Sequence, residues 1–203
     1  QAVTAAAIDR TGVGSPGNDR HVICYRQADY LTPLRASQAQ RRPGRFHRGT
    51  EDEPTQYLCL HPLGPHAEAM RRVGARTSET ARRLDLRTWA LNVPDEGLIE
   101  LEFDDRWVDD DWSACQELGD TLRASAARGL IAPSAALPGT MNVVLFGPFS
   151  ALPYDVPVRA GEIPASITGE HGCALETLVE LVRFRGQRHP GRDFVFREPT
   201  WSY

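Results

Sequence analysis

The sequence predicts a single α+β domain, and three observations lead to this class. Its 203 residues are enough for one domain with a sizeable core. A composition of 41% hydrophobic and 25% charged residues is ordinary for a soluble globular protein. Short apolar runs typical of strands share the chain with longer stretches of helical periodicity, and no segment repeats. We therefore expect one domain over residues 21–203, preceded by a tail or docked arm at residues 1–20.

The first part of this domain predicts two strands followed by two helices. The runs HVICYR (21–26) and TQYLCL (55–60) are short and rich in β-branched, aromatic and other apolar residues, which is typical of strands. HPLGP then breaks the chain, and a helix is expected over residues 65–76 with Pro65 in its first turn. A further helix is predicted over residues 79–91, which offers apolar side chains for packing.

The middle of the chain predicts three strands and one helix. GLIELEF (97–103) alternates apolar and acidic side chains at period two, which indicates a half-buried strand. DRWVDDDW (105–112) is expected to be an acidic turn. This turn caps the next helix, which is predicted over residues 112–127, and its negative charge favours the start of that helix. The runs LIAPS (130–134) and NVVLFGP (142–148) are predicted to be buried strands.

The last quarter of the chain predicts a connector, a helix and a final strand. Residues 148–164 are rich in proline and are interpreted as the connector. ALETLVELVRF (174–184) carries an apolar stripe of helical period, made of Leu175, Leu178, Val179 and Val182. We expect this stripe to pack on the core, with a second copy of the chain as the alternative. DFVF (193–196) predicts the last strand.

Charge and composition argue against several functions. The formal net charge is −4, so the chain as a whole is not built to coat nucleic acid. No apolar run approaches the roughly 18 residues of a membrane span. The four cysteines form no CxxC pair, and together with the six histidines they show no zinc-ligand spacing, so no metal is expected. Free thiols and the lack of an apolar signal segment favour a cytoplasmic location.

Several common catalytic motifs have no counterpart in the sequence. There is no G-x-G-x-x-G that follows a strand, no G-x-x-x-x-G-K-[ST], no H-E-x-x-H and no G-x-S-x-G. Dehydrogenase, kinase, zinc-protease and α/β-hydrolase interpretations therefore have no motif to support them.

The segment RRPGRFHRGT (41–50) concentrates four arginines in a stretch too polar and too glycine-broken for a core element. A solvated loop is the plain interpretation, and a cradle for a doubly negative ligand is the alternative. Other polar residues also have plain explanations. Arg26 would be an exposed charge at a strand end, whereas Glu68 would pair with Arg71 and Arg72 on a solvated helix face.

The order of several short motifs resembles the RES domain family. These motifs are CYR, GRFHRGT, TQYLCL, PHAEAMRR and, much later, RGLIAPSA with NVVLFGP, and they cover residues 22–150. RES domains are similar in fold to NAD-consuming ADP-ribosyltransferase toxins, which implies a mixed, largely antiparallel β core flanked by helices. Members act as toxins of toxin–antitoxin pairs that degrade NAD⁺ by hydrolysis or phosphorolysis, and some ADP-ribosylate a protein.

The resemblance also implies a site. The family's functional positions fall on Arg26, Arg45, Tyr57, Glu68 and Ser134. By this resemblance the two arginines clamp the pyrophosphate of NAD⁺, and Tyr57 stacks on the nicotinamide. Glu68 stabilises the ribosyl cation, and Ser134 hydrogen-bonds the ribose or the amide. His47 stands where Asn is common in the family, either as a minor ligand contact or as a solvated turn histidine.

The resemblance implies NAD as the substrate, inorganic phosphate as an optional co-substrate and a cognate antitoxin that blocks the cleft. Three functions stay open: an NAD⁺ glycohydrolase or phosphorylase, a mono-ADP-ribosyltransferase that modifies a protein, and a non-catalytic module whose arginines contact an acidic partner. No nucleic-acid or membrane partner is expected. The oligomeric state is open, a homo-oligomer included.

Overall fold

A computed structural model describes residues 21–27, 42–49, 55–84, 88–146, 159–163 and 174–197, with residues 159–163 described by their backbone alone. The expected tail at residues 1–20 lies outside the described residues. In the part of the chain that is described, no helix is long and apolar enough to cross a membrane.

A single mixed sheet of seven strands runs through the described residues. The strands are β1 (His21–Gln27), β2 (Thr55–Cys59), β3 (Thr88–Pro94), β4 (Leu98–Glu100), β5 (Gly129–Pro133), β6 (Met141–Phe146) and β7 (Arg159–Ile163). Their order across the sheet is β4-β5-β6-β2-β1-β3-β7. β4 and β5 pair in parallel, whereas the other neighbours pair antiparallel. The predicted mixed, largely antiparallel sheet is therefore confirmed.

Five helices in the described segments complete the α+β fold. They are α1 (Gly64–Val73), α2 (Ser78–Arg82), α3 (Asp105–Val108), α4 (Ser113–Ala124) and α5 (Leu175–Leu181). Successive side chains of a strand point to opposite faces of a sheet, and β6 shows the consequence. Val144 and Phe146 pack with residues of α3 and α4, whereas Val143 and Leu145 pack with residues of β1, β2 and β3.

The apolar stripe of α5 packs in the core, as predicted. Leu178 and Val182 are buried in one cluster with Ala67 and Met70 of α1. α1 itself has Pro in its first turn and ends at Gly74, whose positive φ of 72° suits a residue without a Cβ. This packing fixes α1, which carries part of the site, against the rest of the domain.

The helix predicted over residues 79–91 is wrong for most of its length. α2 ends at Arg82, and β3 begins at Thr88. β3 pairs with β1 over its whole length, from His21 opposite Pro94 to Gln27 opposite Thr88. The β-branched and aromatic residues of TWALNVP suit a strand, and tertiary pairing decides the outcome.

Three other predictions also need correction. The acidic segment expected as a turn contains α3, although Asp111 does accept a 3.0 Å hydrogen bond from the Ser113 N–H where α4 begins. The connector predicted over residues 148–164 contains β7, which pairs with β3. Residues 193–196 form no strand, and Val195 is 73% exposed, so an apolar run alone does not make a strand without a partner to pair with.

Candidate active site

A cleft of about 680 Å³ brings together residues of α1, β1, β2, β5, β6 and the turn at residues 44–47. Among the described residues that line it, Glu68 supplies the one carboxylate. The cationic side chains of the lining are all arginines, namely Arg26, Arg42, Arg45, Arg71, Arg72 and Arg185. Such an excess of positive charge favours a ligand with several negative charges.

The turn at residues 44–47 is built around the hydroxyl of Tyr57. The Phe46 N–H donates to Tyr57 Oη at 2.8 Å, and the hydroxyl shares a second hydrogen bond of 2.9 Å with Nδ1 of His47. Burial raises the pKa of Tyr57 well above its usual range, so the hydroxyl remains protonated and can donate. His47 is only 3% exposed, and its interpretation as a solvated turn histidine is therefore wrong. A side chain at Gly44 would collide with the His47 ring.

Side chains of α4 hold this turn by hydrogen bonds to the backbone carbonyls of the turn. Gln116 Nε2 donates to the Gly44 carbonyl at 3.1 Å, and Arg123 Nη2 donates to the Phe46 carbonyl at 2.7 Å. Gly119 permits the close approach, because a Cβ at this position would overlap the Phe46 carbonyl. The segment 41–50 is thus, over its described part, a turn anchored by side chains rather than a solvated loop.

Arg45 lies in the cleft and is tied to the segment that follows α3. Its Nη1 donates to the carbonyls of Trp107 at 3.1 Å and of Asp109 at 2.5 Å. Its guanidinium carbon is 5.9 Å from the centroid of the Trp112 ring. Arg45 therefore faces the cleft from a fixed position. Its Nη1 group binds the protein, and its other N–H donors can bind a ligand.

Glu68 is held by an amide from the central part of the sheet. Asn142 on β6 donates from Nδ2 to Glu68 Oε1 at 2.9 Å, while its own Oδ1 is buried without a partner among the described residues. Glu68 is partly exposed and lines the cleft, as does Asn142. Nothing in the described segments groups three or more His, Cys, Asp or Glu side chains in a way that would hold a metal ion.

Arg26 lies near the end of β1 and lines the cleft, with its side chain half-buried rather than exposed as a plain strand-end charge. The neighbouring Gln27 accepts a 3.2 Å hydrogen bond from Arg72 Nη2, which links the end of β1 to α1. This hydrogen bond therefore joins β1 to α1, the two elements that form this wall of the cleft.

Arg71 belongs to the cleft but was expected on a solvated helix face. It is only 7% exposed, and it donates to the Arg183 carbonyl at 2.7 Å and to Asp110 Oδ1. Burial alone would raise the pKa of Asp110, but the Gly186 N–H and the charges of Arg71 and Arg183 outweigh it and hold the pKa below its usual value. Arg71 stands one helical turn after Ala67, which is fully buried, so both side chains lie on the buried face of α1.

Comparisons with known proteins identify the family that shares this architecture. The sequence matches the family described as RES domain over residues 21–166. The chain belongs to the RES domain family. A chain of the solved "M.tuberculosis MbcT-MbcA toxin-antitoxin complex" has a similar fold, with a TM-score of 0.60 and 20% identity over 75% of this chain and 89% of that chain. No curated protein matches the sequence.

The structure of this RES domain brings most of the predicted site residues to one cleft, namely Arg26, Arg45, His47, Tyr57 and Glu68. Ser134 is fully buried and is not among the residues that line the cleft. Its Oγ accepts the N–H groups of Ala136 at 3.3 Å and Leu137 at 3.1 Å, which stabilises the turn after β5. Ser134 thus supports the wall to which the preceding Pro133 belongs, and its contact with a substrate stays a prediction.

Proposed function

We propose that this RES domain degrades NAD⁺ by cleaving the bond between nicotinamide and ribose, with water or inorganic phosphate as the acceptor. The observation that carries the proposal is one positioned carboxylate, that of Glu68, in a cleft otherwise rich in arginine. NAD⁺ has the complementary charges, because its pyrophosphate is negative and its ribose becomes cationic as the bond breaks.

The reaction needs charge stabilisation rather than proton transfer to the leaving group. The electron pair of the C1′–N bond departs with nicotinamide, which leaves as a neutral molecule, and positive charge develops on the ribose. Glu68 stabilises that charge and hydrogen-bonds a ribose hydroxyl, in the way that carboxylates serve glycosidases. An oxygen of water or phosphate then bonds to C1′, and water gives its proton to the solvent, so the product is ADP-ribose or its phosphate.

The remaining cleft residues are proposed to hold the dinucleotide still. Arg26 and Arg45 bind the pyrophosphate, where charge-assisted bonds from a planar guanidinium are strongest. The backbone bonds of Arg45 support this role, because they fix its guanidinium before the ligand arrives. The hydroxyl of Tyr57 is occupied by the turn, so its proposed contribution is the ring, packed against nicotinamide.

The direct test is to incubate the purified protein with NAD⁺, with and without inorganic phosphate, and to follow nicotinamide release and the fate of the ADP-ribose. Release in both buffers identifies water as an acceptor, and release that depends on phosphate identifies phosphorolysis. Release with the label retained on a protein supports the mono-ADP-ribosyltransferase alternative. No release in any buffer contradicts the proposal and favours a non-catalytic module.

We further propose that the protein is a toxin acting on the cytoplasmic NAD⁺ pool and that a cognate antitoxin covers the cleft. Family membership supports this role, as does a structural neighbour that was solved in a toxin–antitoxin complex. The expected result is that expression of the chain alone arrests growth and that co-expression of the adjacent gene restores it. Unimpaired growth together with active, folded protein would contradict this role.

A further inference from the structure

The turn at residues 183–187 reaches the cleft from outside the part of the chain that matches the family. Hydrogen bonds fix the turn at several points. Arg183 N–H donates to the Ala136 carbonyl at 2.9 Å, and its Nε donates to the Gln187 carbonyl at 2.8 Å. Gln187 Oε1 in turn accepts the Phe184 N–H at 2.7 Å. These hydrogen bonds hold the turn in one conformation, so it forms a rigid platform.

Asp110 anchors the same platform to the cleft wall. It accepts the Gly186 N–H at 2.7 Å and lies 3.4 Å from Arg183 Nη1, and it also pairs with the cleft residue Arg71. Arg183 is only 8% exposed, so its charge is compensated inside this network. Of the two residues between Arg183 and Gly186, the network holds the second, Arg185, at the edge of the cleft.

Arg185 occupies that edge, and its side chain is exposed. Among the described residues its guanidinium contacts the ring of Trp112, at 5.3 Å from the centroid, and has no carboxylate or carbonyl partner. Arg45 and Arg71, in contrast, already donate to carbonyls of the protein. The five N–H donors of Arg185 therefore remain available to a ligand in the cleft.

We propose that Arg185 binds a phosphoryl group of the reactants, so that the C-terminal segment completes the anion site. This inference rests on the proposed function, in which two phosphoryl sources reach the cleft: the pyrophosphate of NAD⁺ and the inorganic phosphate acceptor. Both offer the oxyanion that a planar guanidinium binds with two parallel hydrogen bonds. Stacking on Trp112 orients the guanidinium for this contact.

The test is a calorimetric titration of the protein with ADP-ribose and, separately, with inorganic phosphate. Arg185→Ala is compared with Arg188→Ala, which removes the same charge from an exposed residue just after the turn that does not line the cleft. Arg185→Ala is expected to weaken binding of at least one probe by about tenfold or more, as the loss of a charge-assisted hydrogen bond predicts. Arg188→Ala is expected to bind both probes as the unaltered protein does.

The two probes separate the two sources of the phosphoryl group. A loss confined to ADP-ribose places Arg185 at the pyrophosphate, and a loss confined to phosphate places it at the acceptor. Unchanged binding of both probes by Arg185→Ala, or an equal loss in Arg188→Ala, overturns the inference, as does an unaltered protein that binds neither probe. Arg185-dependent binding without any nicotinamide release would overturn the proposed function instead and leave the anion site standing.

Discussion

Asn142 donates a 2.9 Å hydrogen bond from Nδ2 to Oε1 of Glu68 and leaves its own Oδ1 buried without a partner among the described residues. The direction of the bond is fixed, because the amide nitrogen Nδ2 only donates. An unsatisfied buried acceptor costs about 1–3 kcal/mol, so folding stability does not explain the choice of asparagine here. The proposed function supplies a reason, because a carboxylate that stabilises a developing cation needs a fixed orientation.

Replacement of Asn142 is therefore expected to impair turnover more than substrate binding. In Asn142→Ala, Glu68 loses its orienting donor, and kcat for nicotinamide release should fall about tenfold or more with little change in KM. An Asn142→Ala protein with the unaltered kcat would show that Asn142 does not position Glu68.

The hydroxyl of Tyr57 is expected to stabilise the fold through the turn it organises. Tyr57→Phe removes the acceptor of the Phe46 N–H and the hydrogen-bond partner of His47 Nδ1, so the free energy of unfolding should fall by about 1–3 kcal/mol. Urea unfolding followed by tryptophan fluorescence measures this loss. Tyr25→Phe is the matched control, because no hydrogen bond of the Tyr25 hydroxyl occurs among the described residues. Equal stability of the two variants would contradict this role.

Asp110 is expected to make stability depend on pH in the acidic range. Its pKa in the folded protein is held below the usual value, so the ionised group contributes stability above its unfolded pKa of about 3.9. That contribution is lost as the pH falls through the folded pKa. Asp110→Asn should therefore be less stable than the unaltered protein near neutral pH, and the difference should shrink below about pH 4.

Urea unfolding of both proteins across this pH range checks the prediction. Asp193→Asn is the control for the change in charge, because Asp193 is exposed and has no partner among the described residues. It should follow the unaltered protein at every pH. A difference between Asp110→Asn and the unaltered protein that stays constant down to acidic pH would contradict the link to ionisation.

The strands that could be predicted from sequence are those whose signal is local. β1, β2, β5 and β6 each carry a short apolar or β-branched run, and the structure has a strand at each position. The residues of β3 suit a strand locally, but they adjoin the helical segment α2, and it is the pairing with β1 over the whole of β3 that decides the outcome. The strand expected over residues 193–196 fails for the converse reason, since its apolar run has no strand beside it in the described sheet.

The residues of the candidate site also divide into those that the sequence predicts and those that it does not. Arg26, Arg45, Tyr57 and Glu68 follow from the order of the motifs, and all of them line the cleft. Ser134 shares a motif with the cleft wall, but its hydroxyl turns to two backbone N–H groups, a choice that depends on the local turn. Asn142 and Arg71 stand inside the motifs NVVLFGP and PHAEAMRR, but their roles depend on contacts between segments far apart in sequence, which a motif does not reveal. Arg185 lies outside every motif.

The most direct test of the account compares Glu68→Gln with Glu117→Gln in the release of nicotinamide from NAD⁺. The amide introduced by Glu68→Gln keeps an oxygen that can accept from Asn142, so the substitution removes the charge and leaves the hydrogen bond. Glu117 is exposed on α4 outside the cleft and controls for the loss of one carboxylate. We expect Glu68→Gln to lower kcat by at least about 100-fold and Glu117→Gln to leave it unchanged. Release by Glu68→Gln at the unaltered rate would contradict the central role of this carboxylate.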